Sequence, residues 1–117
     1  DSDSVDTGGK DLFDVEEAVG FMLFEAGEII GELDPEGFNN ERSATELVYA
    51  IDNAFTMLDE GMYYETLTIL YNDILQRTDG CANIGEPDED DWITTYKGQG
   101  EVYPLTLDVI ELLGSLI

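Results

Sequence analysis

A chain of 117 residues with 28 Asp and Glu against 4 Lys and Arg, and no histidine, carries a formal charge of −24. That balance excludes nucleic acid as a partner, since its phosphates are repelled, and argues against anionic membrane surfaces. The missing histidine removes the side chain most used for proton transfer and metal ligation near neutral pH.

The length suits one domain. Hydrophobic residues make up 43% of the chain, so a core is affordable despite the charge. Self-repulsion opposes compactness unless counterions bind. Stability is therefore expected to rise with ionic strength or with calcium. The acids read either as halophilic adaptation of an ordinary surface or as specific cation sites. Cys81 is the single cysteine, so no disulfide forms within the chain. No apolar run reaches the roughly 18 residues of a membrane span, so no membrane insertion is expected. Beginning at Asp1 without methionine, the chain reads as a processed mature chain or an excised fragment.

Residues 1–11 are polar and glycine-containing and read as an extended acidic tail or linker. Residues 12–117 read as a single helical bundle domain. The first helix opens on a capping-box-like pair, Asp14 and Glu17. Its stripe is Val15, Ala18, Val19, Met22, Ala26, Ile29, Ile30 and Leu33. Phe21, Leu23 and Phe24 fall off that stripe, so the helix is apolar on more than one side, which implies either central burial or a second partner surface. Asp34-Pro35-Glu36-Gly37 ends it.

A capping box at Ser43 and Glu46 opens the second helix, with Leu47, Ile51, Ala54, Phe55 and Leu58 as its stripe. Gly61 stops it. The third runs from about Tyr63 to Arg77 on Leu67, Leu70, Ile74 and Leu75, with Gly80 as its C-terminal cap. So short a break makes the second and third helices an antiparallel hairpin. The last helix is expected from near Val102, with Pro104 in its first turn and a stripe of Leu105, Val109, Leu112, Leu113 and Leu116.

Residues 78–101 are too long for a structureless loop in a compact domain. Trp92 and Ile93 are candidate apolar anchors. Asp79, Asn83, Asp88, Asp90 and Asp91 are candidate cation ligands. Calcium takes six to eight oxygens in flexible geometry, which suits these side chains, although the twelve-residue EF-hand pattern is missing. The tail offers Asp1, Asp3 and Asp6 as a second candidate set, able to be completed by an acid from a neighbouring subunit.

Nucleophilic catalysis has no support: no histidine serves as base, and no basic neighbour lowers the Cys81 pKa. Gly-Lys-Asp at 9–11 lacks the rest of a phosphate loop. Tyr49, Tyr63, Tyr64, Tyr71, Tyr96 and Tyr103 read either as a sugar platform or as core rims with a wet hydroxyl.

The run Leu58-Asp-Glu-Gly-Met-Tyr-Tyr-Glu-Thr-Leu67 is followed by Asn72-Asp-Ile-Leu75, Asp79-Gly-Cys-Ala82, Gly85-Glu-Pro-Asp88 and Asp91-Trp-Ile-Thr94. With Gln99 and Tyr103-Pro-Leu105, this pattern resembles the FIMAH-type helical modules near the C-termini of exported bacterial and archaeal surface proteins. The resemblance spans about residues 45–117. It implies a non-catalytic extracellular appendage and carries over no catalytic residue. The family pattern often has a second cysteine after Trp-Ile-Thr. Here that position is Tyr96, which leaves Cys81 free, buried, or paired between chains.

The resulting expectation is an all-α four-helix bundle with a long ordered acidic loop before the last helix. The expected role is a non-catalytic structural or interaction module, secreted or at the cell surface. It would be a surface-protein appendage or a subunit of a self-assembling structure stabilised by Ca²⁺. Its partners would be copies of itself or neighbouring extracellular domains. A calcium- or carbohydrate-binding accessory module of a secreted hydrolase is the alternative.

Overall fold

The computed structural model describes residues 12–117, and side chains from Val15 onward. The tail at 1–11, with its candidate ligands Asp1, Asp3 and Asp6, lies outside the described residues.

The described residues hold α1 (Leu12–Glu32), α2 (Ser43–Asp59), α3 (Tyr63–Ile69), α4 (Gly80–Ile84) and α5 (Tyr96–Gly114). The fold is all-helical; the one β feature among the described residues is an isolated antiparallel bridge between Phe38 and Ile93. Five α-helices stand where four are expected, because α4 forms inside the segment read as loop. α1 packs on α5 and α2, α2 packs on α3, and α3 reaches α5. No described helix is long and apolar enough to cross a membrane.

α1 buries Val15, Val19, Leu23, Ala26 and Ile30. Leu23 is thus a core residue, not an off-stripe one: a helix turning about 100° per residue puts these positions on one side. The helix is already formed at Leu12, so Asp14 is interior and does not open it. Phe21 and Phe24 remain 72% and 59% exposed. Gly27 and Gly31 each cost a helix about 1 kcal/mol relative to alanine. A Cβ at either would meet nothing within 4 Å, so packing among the described residues does not require them.

Ser43 is the first residue of α2, not its cap; its hydroxyl donates to Asn39 Oδ1, and Arg42 occupies the cap position. The helix ends in a Schellman motif. Gly61 N donates to Leu58 O, Met62 N donates to Met57 O, and Gly61 takes φ +78°, the left-handed region glycine enters without a Cβ penalty. With so short a link, α2 and α3 form the expected hairpin. α3 continues as a π turn at Leu70–Ile74 and a 3-10 turn at Leu75–Arg77. Ile74 and Leu75 are both buried although adjacent, and the changed winding lets both face inward.

α5 begins at Tyr96, earlier than Val102, so Pro104 lies inside it. Pro104 removes the N–H that would bond the Gly100 carbonyl. Both residues are exposed, so water can satisfy that oxygen. The start is set by Thr95, whose hydroxyl accepts from Gly98 N at 3.0 Å. Thr95→Ala is expected to cost about 1 kcal/mol. A lowered urea midpoint checks this, and an unchanged one would show the cap contributes nothing.

Candidate metal centre

The chain between α4 and α5 folds inward at a turn over residues 88–91. Asp91 N donates to Asp88 O at 3.2 Å, and Asp90 N donates to Asp88 Oδ1 at 2.9 Å. The turn places Asp91 in the interior, only 1% exposed. Its Oδ2 accepts from Gly80 N at 3.1 Å, Asp88 N at 2.9 Å and Gln99 Nε2 at 2.6 Å. One carboxylate oxygen therefore joins the start of α4, the turn and the first turn of α5.

Gln99 completes the clamp. Its amide also donates to Ile93 O at 2.6 Å, while Oε1 accepts from Cys81 N at 2.9 Å. Both amide hydrogens and the amide oxygen are thus bonded, which suits a 1% exposed side chain. Sequence reading places Gln99 only in the resemblance pattern and not among the site residues. Its signal was a polar residue on the Val102–Thr106–Val109–Leu113 stripe, visible once α5 is known to start at Tyr96.

Backbone bonds strap the turn to the bundle. Trp92 N donates to Arg77 O at 2.8 Å, Thr94 N to Gly37 O at 2.8 Å, and Asn39 N to Trp92 O at 3.0 Å. The Arg77 guanidinium lies 4.7 Å from the Trp92 ring centroid. Ile93 is fully buried, so the expected apolar anchoring by Trp92 and Ile93 is present, alongside the polar clamp.

Against this frame, Asp79, Asp88 and Asp91 each place a carboxylate oxygen within 4.8 Å of the others. Asp91 Oδ1 is buried and has no hydrogen-bond partner among the described residues. Asp79 and Asp88 are half-buried. Burial, then the charges of Asp88 and Asp91, then a side-chain contact with Asp88 hold the Asp79 carboxyl above its ordinary range. Three carboxylates this close repel unless a proton or a cation sits among them. Asn83 and Asp90, the other loop candidates, are exposed, and Asp90 stands outside the cluster of acids. In the turn Asp91 takes the inward position, and Asn83 lies on the solvent side of α4.

Gly80, expected to cap α3, instead opens α4 and is buried. Its lack of a side chain is what lets the turn close: a Cβ would lie 2.4 Å from Asp88 N and from Asp91 Oδ2. Cys81 is a free thiol. Burial first, then Asp91 and Glu86, push its pKa up, so it stays protonated near neutral pH.

Comparison with protein-family models, with curated proteins and with solved structures found no match to this chain.

Proposed function

We propose that the chain is a non-catalytic structural and interaction module of an extracellular assembly, its α4–α5 end closed by Ca²⁺. In this reading α1, α2, α3 with its continuation to Arg77, and α5 make a four-helix bundle. The acidic segment before α5 is its cap. The observation that carries the cation is the unpartnered Asp91 Oδ1, buried beside two more carboxylates. A buried acceptor without a partner costs free energy, and a hard cation with an oxygen appetite would satisfy it. Asp79, Asp88 and Asp91 Oδ1 would be the protein ligands, with water completing the shell. The extracellular setting rests on the resemblance to FIMAH-type modules. The protonated Cys81 agrees with a structural role. The accessory-module alternative draws on Tyr64 and Tyr71, 71% and 51% exposed and seven positions apart. Glycan binding lost on replacing both by alanine would favour it.

Thermal melts in calcium and in EDTA, at matched ionic strength, test the cation. At a hundredfold excess over Kd, calcium should add about 2.7 kcal/mol, on the order of 10 °C for a chain of this size. Asp79→Asn should abolish that gain, and in EDTA at neutral pH it should leave stability equal or higher, since it relieves repulsion.

The pH dependence has a defined sign. The Asp79 pKa is raised in the fold, so without metal its contribution is fully present below the ordinary value of 3.8 and lost as pH rises through the raised value. The calcium gain should grow over that same window. Identical melts in calcium and EDTA at neutral pH would reject the site.

A further inference from the structure

α1 forms an open groove with α2. On α1, Gly20, Phe24, Gly27 and Gly31 recur at one-face helical spacing, and on α2 Val48, Asp52 and Phe55 do the same; together they line the groove. Its floor is apolar, with Leu23 and Ile51 beneath and the exposed Phe21 and Phe24 on one wall.

Nothing among the described residues explains Gly27 and Gly31. A Cβ at either position meets open space, and glycine weakens a helix. Small residues on a helix face allow another backbone to approach closely, which is what an external occupant would need.

The rim decides the occupant. Glu17 and Glu28 on α1 and Asp52 and Asp59 on α2 edge the groove, and no basic residue among the described ones lines it. The described bases lie elsewhere: Arg42 pairs with Glu46 at 3.8 Å, Lys97 with Glu101 at 3.4 Å, and Arg77 stacks on Trp92. A second copy would bring another −24 to an acidic rim. We propose that the α1–α2 groove docks a cationic amphipathic helix, whose apolar stripe fills the floor while flanking Lys and Arg meet both acidic edges. This rests on the interaction half of the reading above, not on the cation.

The experiment titrates the 117-residue chain with a synthetic helix bearing a leucine stripe and Lys/Arg flanks, by calorimetry in EDTA and in calcium. A Glu-flanked version and a scrambled cationic version are controls. One-to-one binding of the Lys/Arg-flanked helix alone is expected. The double variant Gly27→Leu with Gly31→Leu puts side chains into the groove, and the Cβ atoms it adds meet nothing within 4 Å. It should keep or raise the melting temperature and weaken binding about tenfold or more. Equal affinity in the double variant, or equal affinity for either control peptide, would overturn the proposal. So would a wild-type dimer that the double variant dissociates, since the occupant would then be a second copy. Calcium-independent binding is expected, so groove and cation site stand or fall separately.

Discussion

Asp91→Ala is expected to remove about 3–5 kcal/mol, the largest single effect among the side chains of the cap. The alanine deletes one acceptor but leaves behind donors that have no other partner: Gly80 N, Asp88 N and one hydrogen of the Gln99 amide. Each buried orphan costs about 1–3 kcal/mol, partly relieved where water can enter. Against a typical total of about 5–15 kcal/mol, this is a large fraction of stability. Urea denaturation reads the loss. Near-ultraviolet circular dichroism of Trp92, the only tryptophan, reads the loosening of the turn directly. Asp91→Asn keeps the volume and one acceptor, so it should fall between wild type and alanine while losing the calcium response. An alanine variant within about 1 kcal/mol of wild type, its Trp92 signal intact, would show that the hub does not hold the cap.

Gly80→Ala comes second. The added methyl carbon would sit 2.4 Å from Asp88 N, 2.4 Å from Asp91 Oδ2 and 2.5 Å from Glu86 O. Two of those atoms are backbone, so no side-chain rotation relieves the overlap. The turn must move away from α4, and the bond from Gly80 N to Asp91 Oδ2 lengthens with it. Overpacking of this kind costs about 1–3 kcal/mol, and more when hydrogen bonds break with it. The gain in helix propensity offsets less than about 1 kcal/mol. Gly27→Ala is the matched control: it meets nothing within 4 Å and should raise stability by up to about 1 kcal/mol. If both glycine variants shift the urea midpoint upward, the close approach at Gly80 has been misread.

The two variants locate different parts of the cap. Asp91→Ala leaves the backbone room intact and removes the bonds. Gly80→Ala leaves the bonding groups intact and removes the room. Both should diminish the calcium response: the first deletes the Asp91 carboxylate, and the second moves the turn that carries Asp88 and Asp91 away from Asp79. Only Asp79→Asn should remove that response without lowering metal-free stability at neutral pH.

Much of the architecture was legible from residue order. Periodicity placed α2 closely, because its apolar stripe has one clear side and Gly61 ends it at a position that takes positive φ. The burial of Val15, Val19, Ala26 and Ile30 followed from the same spacing. Leu23 was missed because Phe21 and Phe24 crowd the same stretch, and apolar character alone does not say which of several large side chains turns inward. The early start of α5 was missed for a related reason. Gly98, Gly100 and Pro104 all count against a helix locally, yet the Thr95 cap and the burial of Gln99 outweigh them.

The acidic segment shows the division most clearly. Charge and spacing alone singled out Asp79, Asp88 and Asp91, but together with Asn83 and Asp90. Carboxylates separated by eight or more positions meet only if the intervening chain turns back, and no periodicity encodes that turn. It exists because Gly80 leaves room for it and because Gln99 and Asp91 satisfy each other in the interior. By itself, the sequence determined that the chain is helical and strongly acidic, and where its helical hairpin turns: these are local or summed properties. The tertiary structure alone decided which acids converge, which glycines are crowded and which face open space. Those facts depend on pairs of residues brought together by long-range packing, whose free energy is not carried by either residue's neighbours in the chain.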